Sequence, residues 1–272
     1  MPAFEFVDWD AGRLRVNTRH ADVLSAHGLT TFDSLHRHDG GVVVRQVASR
    51  TTTRIVLDDA AGSHAFYIKR HGPATLAEYL RPLVHGRRPI VGAANEWDAI
   101  LRFHRVGIPT MEPVVLGVCG RRSLLVTKSL DGHRSLLDWL RDGAGDNSVQ
   151  DPTVLRRLIF ELADITRAMH GAGLHHQDFY LNHLLIPTEG GPGGIRVIDL
   201  GRVRQQQTLG QRWIIKDLAQ LDYSSRLISC RDRLRFLRTY LGRPLTRRDR
   251  SLIRRISRKS HAIDRHTRKH RL

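Results

Sequence analysis

Residues 151–201 constrain the fold of this chain more than any other stretch, because the hydrophobic pattern changes period twice within them. DPTVLRRLIFELADITRAMHGAG (151–173) places Leu155, Leu158, Ile159, Leu162, Ile165 and Met169 at helical intervals, an apolar stripe along one face. Asp151 stands where a cap belongs, Pro152 at the first helical position, and Gly171 is the expected stop. Two apolar runs follow, LNHLLIP and GIRVIDLG, joined by TEGGPGG, and their spacing reads as a β-hairpin with a generous loop. Between helix and hairpin lies LHHQDFYLNHLLI (174–186), where His175, His176, Asp178 and His183 crowd the turn from helix into core strand. Polar groups there are costly unless paired or used. The stretch can be a metal knuckle, a catalytic loop or a solvated turn.

The metal knuckle fails on its donors. The three histidines form no HExxH pattern and have no fourth ligand beside them. Cys119 and Cys230 are too isolated for a cysteine-based zinc site or a disulfide framework, and read as free thiols of a reducing compartment.

The rest of the chain divides in character near residues 127–132. Before that point it is β-rich. GGVVVRQVAS (40–49) and TTTRIVL (51–57) are β-branched runs, and HAFYIKR (64–70) alternates as a half-buried strand. Residues 71–92, rich in Pro, Gly and Arg, read as a loop or short irregular helix. ANEWDAILRFHRVG (94–107) reads as a helix with Trp97, Ile100, Leu101 and His104 on one stripe and Gly107 as stop. EPVVLGV and RRSLLVTKSL are two further short strands. After Lys128 the chain is mainly helical: HRSLLDWLRDG, the long helix, RWIIKDLAQLDYSS, RDRLRFLRTYL, and a basic last helix opened by Thr246 with Asp249 three residues on, a capping-box pattern. The expected organisation is a β-rich lobe over 1–128 with one main helix, and a helical lobe over 129–272 holding one hairpin: an α+β, two-lobed architecture.

Net charge is +17, and much of it is local. Residues 246–272 hold eleven Lys/Arg against Asp249 and Asp264, a net +9. Such a segment suits an anionic surface, nucleic acid or acidic lipid. The absence of any RNA-binding motif or helix-turn-helix pattern in the sequence disfavours nucleic acid. MPAFEFVDWDAG has early acids and no apolar core, so it does not read as a signal peptide. No run approaches the roughly 18 apolar residues a spanning helix needs. The expectation is a cytoplasmic protein whose membrane contact, if any, is peripheral.

Asp178 in the polar loop and Asp199 at the end of the second hairpin strand come to one edge of the hairpin. Phosphoryl transfer uses such a pair: one carboxylate for the attacking hydroxyl, another to hold magnesium on the phosphates. Lys69 on a strand and Glu96 on the next helix stand in the order that would complete a nucleotide site. Alone, each has a plain structural reading, Lys69 as a strand-edge cation, Glu96 as a solvated helix residue, Asp178 as a turn carboxylate.

The series Lys69, Glu96, His176-Gln177-Asp178, Asp199-Leu200-Gly201 resembles the protein-kinase-like fold. HHQDFYLNHLLI, RVIDLGRVR and KDLAQLDYSS, with NEW (95–97) and GIPT (107–110), are similar to the lipopolysaccharide kinase (Kdo/WaaP) family over roughly residues 40–240. The resemblance implies ATP and Mg2+ as cofactors, Lys69 on the α- and β-phosphates, Glu96 pairing with Lys69, Asp178 as catalytic base and Asp199 as magnesium ligand. It also implies that His176 braces the loop and Asp217 holds its backbone. The implied acceptor is a sugar hydroxyl of a lipopolysaccharide core or related lipid-linked glycan, at the inner face of the inner membrane.

Three positions depart from the protein-kinase pattern. His183 stands where a kinase holds its second metal-binding residue; imidazole is a poorer magnesium ligand than an amide oxygen, so His183 is a candidate for metal or for phosphate, with Asn182 beside it. Gln177 replaces the loop arginine that reads a phosphorylated activation segment, and only 18 residues separate Asp199 from Asp217. For phosphate cover the sequence offers Gly40-Gly41 without a GxGxxG pattern, and Arg45 or Arg50. A Ser/Thr protein kinase, another small-molecule kinase, and an inactive kinase-like protein that binds anionic surfaces remain as alternatives.

Overall fold

Ten-residue strands carry the first unit, and the pattern on one of them explains its two faces. In the computed structural model, which describes residues 4–47, 50–73, 92–145, 151–188 and 194–269, the chain separates into two units. One comprises Met1–Arg105 and Met111–Asp131, the other Val106–Thr110 and Gly132–Leu272. The first is built on a seven-stranded antiparallel sheet of β1 (Phe6–Trp9), β2 (Leu14–Asn17), β3 (Val42–Val47), β4 (Arg50–Asp59), β5 (Gly62–His71), β6 (Pro113–Cys119) and β7 (Arg122–Lys128). Its strand order is β1-β2-β6-β7-β5-β4-β3.

On β5, Phe66 and Ile68 point to one face, where Val16, Val115 and Val126 join them in a dry core. Two short helices, α1 (Ala21–Ala26) and α2 (Phe32–Arg37), close that core with Leu24, Phe32 and Leu35. Each such buried side chain is worth about 1.5–3 kcal/mol. Arg70 on the same face donates to the carbonyls of Leu35 and His38, at the C-terminal end of α2, and to the hydroxyl of Thr53. These four opening elements, β1, β2, α1 and α2, are not announced by the β-branched pattern, so the unit has more than one helix.

The opposite face carries Lys69 and meets α3 (Ala94–Arg105). The buried stripe of α3 is Trp97, Ile100 and Phe103 together with Glu96 and Ala99. This corrects the expected stripe: Leu101 is only half-buried, and His104 turns its Nε2 to donate to the Met111 carbonyl at 3.0 Å. The loop or helix expected over 71–92 falls largely outside the described residues.

In the second unit, β8 (His133–Ser135), β10 (Leu184–Pro187) and β11 (Arg196–Val197) form a small antiparallel sheet, and β9 (Leu174–His175) pairs with β12 (Arg204–Gln205). The expected hairpin is present as β10–β11, with Leu184 opposite Val197. HRSLLDWLRDG is not helical from its start: its first three residues pair with β10, and Ser135 then opens α4 (Leu136–Gly145) by accepting the Asp138 N–H. The long α5 (Pro152–Gly171) is capped by Asp151 and buries Leu158, Ile159, Leu162, Ile165 and Met169. Gly171 is its last residue but not the glycine that turns the chain. Gly173 has φ +73°, and a Cβ there would collide with the Gln206 carbonyl, so only glycine fits the crossing of β9 and β12.

Three helices complete the unit: α6 (Gln211–Ser224), α7 (Cys230–Leu241) and α8 (Arg250–Lys269), with Leu218, Ala219, Leu237 and Ile256 at their common core. Thr246 and Asp249 form the expected capping box ahead of α8, and Arg243 grips both oxygens of Asp249 at 2.8 and 2.7 Å.

Candidate active site

The 174–186 stretch is held from one face of α6. Asp217, Gln220 and Ser224, spaced i, i+3 and i+7, share that face. Asp217 accepts the N–H of His176 at 2.8 Å and of Gln177 at 2.9 Å. Gln220 accepts the Phe179 N–H at 3.0 Å and donates to the Gln177 carbonyl at 2.7 Å, while Ser224 accepts the Leu181 N–H at 3.1 Å. The backbone of the loop is therefore satisfied by side chains rather than by a ladder. This explains how so polar a segment can be buried. Gln220 and Ser224 were not singled out in the sequence; the i, i+3, i+7 spacing with Asp217 is the signal that marks them.

Asp217 is fully buried. Burial alone would raise its pKa, but the hydrogen bond and charge of His170 and the backbone N–H of His176 hold it below the usual carboxylate range. His176 is also fully buried, and burial lowers its pKa against the pull of Asp217. Its tautomer follows from its partners. Nε2 lies 3.0 Å from the Ile198 carbonyl and must donate, so Nδ1 accepts the Asp178 N–H at 3.3 Å. His176 thus ties the Asp178 backbone to the end of β11. His175, stacked on Trp213 at 4.4 Å, is driven by burial down to about pKa 4 and stays neutral.

At the loop's tip, Gln177 adopts left-handed backbone (φ +72°), as does Asp199 (φ +58°). The Asp178 carboxylate is bracketed by Arg202, whose Nη1 lies 3.0 Å from each of its oxygens, and the Gln177 side chain donates to the Arg202 carbonyl at 2.7 Å. Arg202 ends the 3-10 turn Leu200–Arg202 that directly follows Asp199. His183 joins the two aspartates. Its Nδ1 donates to the Asp178 carbonyl at 2.8 Å, leaving Nε2 3.6 Å from an oxygen of Asp199. Asp178, His183 and Asp199 are thus brought together, and His176 and Asp217 stand behind them. Asn182 is exposed on the same turn.

The Asp199 carboxylate is 38% exposed, so it can offer oxygen to an incoming cation. Magnesium prefers one or two carboxylates completed by phosphate and water. Asp199 with the turned Nε2 of His183 fits an ion that arrives with a phosphate group, and among the described residues no cluster of three or more His, Cys, Asp or Glu forms a closed cage.

In the first unit, Lys69 Nζ lies 2.5 Å from Glu96 Oε1, with the glutamate buried and the lysine partly open. Register puts Arg45, Thr52 and Lys69 in one row across β3, β4 and β5, on one face of the sheet. Arg50 opens β4 opposite Val47 and His71. Gly40 and Gly41 do not belong to this row. They precede β3 at the end where Val42 meets Arg54, and a Cβ on Gly41 would strike the Arg54 carbonyl at 2.5 Å. Strand packing therefore gives Gly41 a structural reason to be glycine. The β3–β4 turn, residues 48–49, lies outside the described residues. GIPT also has a structural account: Thr110 bridges to Val197, donating its hydroxyl to that carbonyl at 2.6 Å, and so extends the edge of β11.

Three comparisons bear on this geometry. The model of the lipopolysaccharide kinase (Kdo/WaaP) family matches residues 36–240. Lipopolysaccharide core heptose(I) kinase WaaP of Escherichia coli is 36% identical over 216 residues, covering 75% of this chain and 79% of the relative. The Pseudomonas aeruginosa protein of the same description is 33% identical over 216 residues, covering 75% and 78%. A solved structure of WaaP in complex with acyl carrier protein superposes with a TM-score of 0.71 at 27% identity, covering 92% of this chain and 98% of the other. With an antiparallel sheet in one unit, a mainly helical second unit, and this extent of similarity, the chain has the α+β protein-kinase-like fold and is a phosphotransferase belonging to the lipopolysaccharide kinase (Kdo/WaaP) family.

Proposed function

We propose that this chain transfers the terminal phosphoryl group of ATP to a sugar hydroxyl of a lipopolysaccharide core or a related lipid-linked glycan. The observation that carries the reading is the Asp178–His183–Asp199 cluster on a loop fixed by α6. Asp178 takes the proton of the attacking hydroxyl as its oxygen bonds to phosphorus and the bond to the ADP leaving group breaks. Arg202 holds that carboxylate in place beforehand. A pair this exposed is worth only about 0–1 kcal/mol, so an incoming hydroxyl displaces it at little cost. Asp199 would hold magnesium, with His183 Nε2 beside it, and Lys69, steadied by Glu96, would place its ammonium on the nucleotide phosphates. Bound magnesium neutralises charge on the phosphoryl oxygens. Arg45, in the same row as Lys69, is a candidate to cover the phosphates.

The test offers radiolabelled ATP and purified protein a core glycolipid fraction and, in parallel, a protein extract. Label in the glycolipid is expected, with Asp178→Asn lowering transfer by about 10²–10⁴-fold while nucleotide binding persists. Label only in protein would favour a protein kinase, and no label in either would favour an inactive relative. Equal loss of binding and transfer in Asp178→Asn would remove Asp178 from its role.

A lipid-linked acceptor and a basic C-terminal segment also support a peripheral site of action at the cytoplasmic face of the inner membrane; among the described residues no helix is long and apolar enough to cross a membrane. Acyl carrier protein, bound by the structural neighbour, is proposed as a partner here too. In support, the second unit has a partly open apolar cavity of about 310 Å³ lined by Leu140, Leu158, Leu162, Leu218, Leu221 and Phe236, suited to an acyl chain. A thermal-shift titration with the acylated carrier tests the pairing.

A further inference from the structure

Helix α6 has a second working edge. While Asp217, Gln220 and Ser224 hold the catalytic loop, Arg212 and Ile215 line a groove shared with α8, completed by Arg255, Arg258, Lys259, Ala262 and Arg265. Five of these seven residues are cations and none is an acid, so the groove attracts anions without an internal counter-charge. The single acid of α8, Asp264, is engaged by Arg226 at 2.8 Å and Arg268 at 3.1 Å. The charge continues along the exposed side of the helix. Arg254, Arg258 and Arg265, at i, i+4 and i+11, form one exposed stripe on a helix about 30 Å long. A row of that length matches a plane of charged headgroups better than a single phosphate.

The groove is also joined to the catalytic loop by a continuous stack. Arg212 lies over the Trp213 ring at 4.6 Å, and Trp213 stacks on His175, the residue before the loop's brace, at 4.4 Å. The helix that presents the charge is firmly seated: Ile256 and Ser260 are buried, and Arg243 and the capping box fix its start.

We propose that the α6–α8 groove and the Arg254–Arg258–Arg265 stripe dock on the anionic lipid headgroups of a membrane, holding the catalytic loop at the surface where a lipid-linked acceptor is presented. This deepens the proposed function and rests on it for the acceptor, but its test does not depend on catalysis. The intact protein is sedimented with phosphatidylglycerol–phosphatidylcholine vesicles and with pure phosphatidylcholine vesicles, at low and high salt. Binding only to the anionic vesicles, weakening with salt, is expected. The triple substitution R254Q/R258Q/R265Q is expected to lower partitioning roughly 100-fold, about fivefold per cation. R254K/R258K/R265K is expected to keep it. R141Q/R156Q/R157Q, which removes the same charge elsewhere on the unit, should change it little, and thermal melting shows that each variant is folded. Equal loss in the control triple, binding to neutral vesicles, or preference for duplex DNA over anionic vesicles overturns the proposal. Transfer to a soluble core oligosaccharide, measured on the same preparation, reports separately on the kinase reading.

Discussion

Replacing Asp217 by Asn tests whether α6 sets the proposed catalytic loop, residues 174–186. The carboxylate accepts two buried N–H groups at 2.8 and 2.9 Å, from His176 and Gln177, with His170 Nε2 at 3.4 Å. An asparagine oxygen can keep one of those donors, but its NH2 group then faces the other. Orphaning a buried N–H costs about 1–3 kcal/mol, and loss of the charge-assisted character of the remaining bond adds about 1 kcal/mol. The expected loss is therefore about 3 kcal/mol, a large share of the ~5–15 kcal/mol that stabilises a typical domain. Because the folded carboxyl is held below its ordinary value, its contribution is complete above an unfolded pKa of about 3.9 and fades only as pH falls through the folded value. The difference between the two proteins should thus be constant from about pH 5 to 8. Urea unfolding monitored by tryptophan fluorescence measures it. Phosphoryl transfer by the folded fraction should fall by more than about tenfold, with nucleotide affinity nearly kept. A loss under about 0.5 kcal/mol, or transfer at the parent rate, would show that the loop takes its position from something other than Asp217.

Two further outcomes follow from the same unit. His175, pushed by burial to about pKa 4, stays neutral in the folded chain while the unfolded chain protonates near 6.5. Stability should therefore fall by about 2 kcal/mol from pH 7 to pH 5. His175→Phe, which can keep the stack on Trp213, should lose less over that window, and an equally steep loss in urea titrations of the variant would refute the assignment. For the leucine-lined cavity, acylated carrier protein should raise the melting temperature and the unacylated form should not; Leu221→Phe should weaken the shift, and equal shifts from both carriers would place the partner elsewhere.

What the sequence made legible is what chemistry compresses into contiguous letters. His176, Asp178 and Asp199 lie within two short segments, Asp217 opens a third, and the structure gathers all four in one unit. Lys69 and Glu96 could be paired from their order because each sits on an element with a clear period. Gln220 and Ser224 escaped because neutral side chains that serve a backbone look like any polar helix residue until the helix face is known. Arg202 escaped because its contact with Asp178 depends on the 3-10 turn that follows Asp199. For Gly41 the sequence could not show the packing reason: only the Arg54 carbonyl against it reveals one. The opening elements β1, β2, α1 and α2 are four to six residues long, too short to establish a period.

Gln177 is fixed by partners within its own unit. A kinase loop with arginine at that position keeps a buried charge that a phosphate on a long activation segment can satisfy. Here the residue is neutral, and each of its groups has a partner in the chain: its N–H goes to Asp217 at 2.9 Å, its carbonyl to Gln220 at 2.7 Å and its side-chain amide to the Arg202 carbonyl at 2.7 Å. The left-handed backbone at Gln177 costs about 1–3 kcal/mol, and these bonds hold it in place. Between Asp199 and Asp217 the chain is already committed to the 3-10 turn, to β12 pairing with β9, and to the first turns of α6. The contacts that fix Gln177 thus all come from the chain itself, from one face of α6 and from the turn after Asp199.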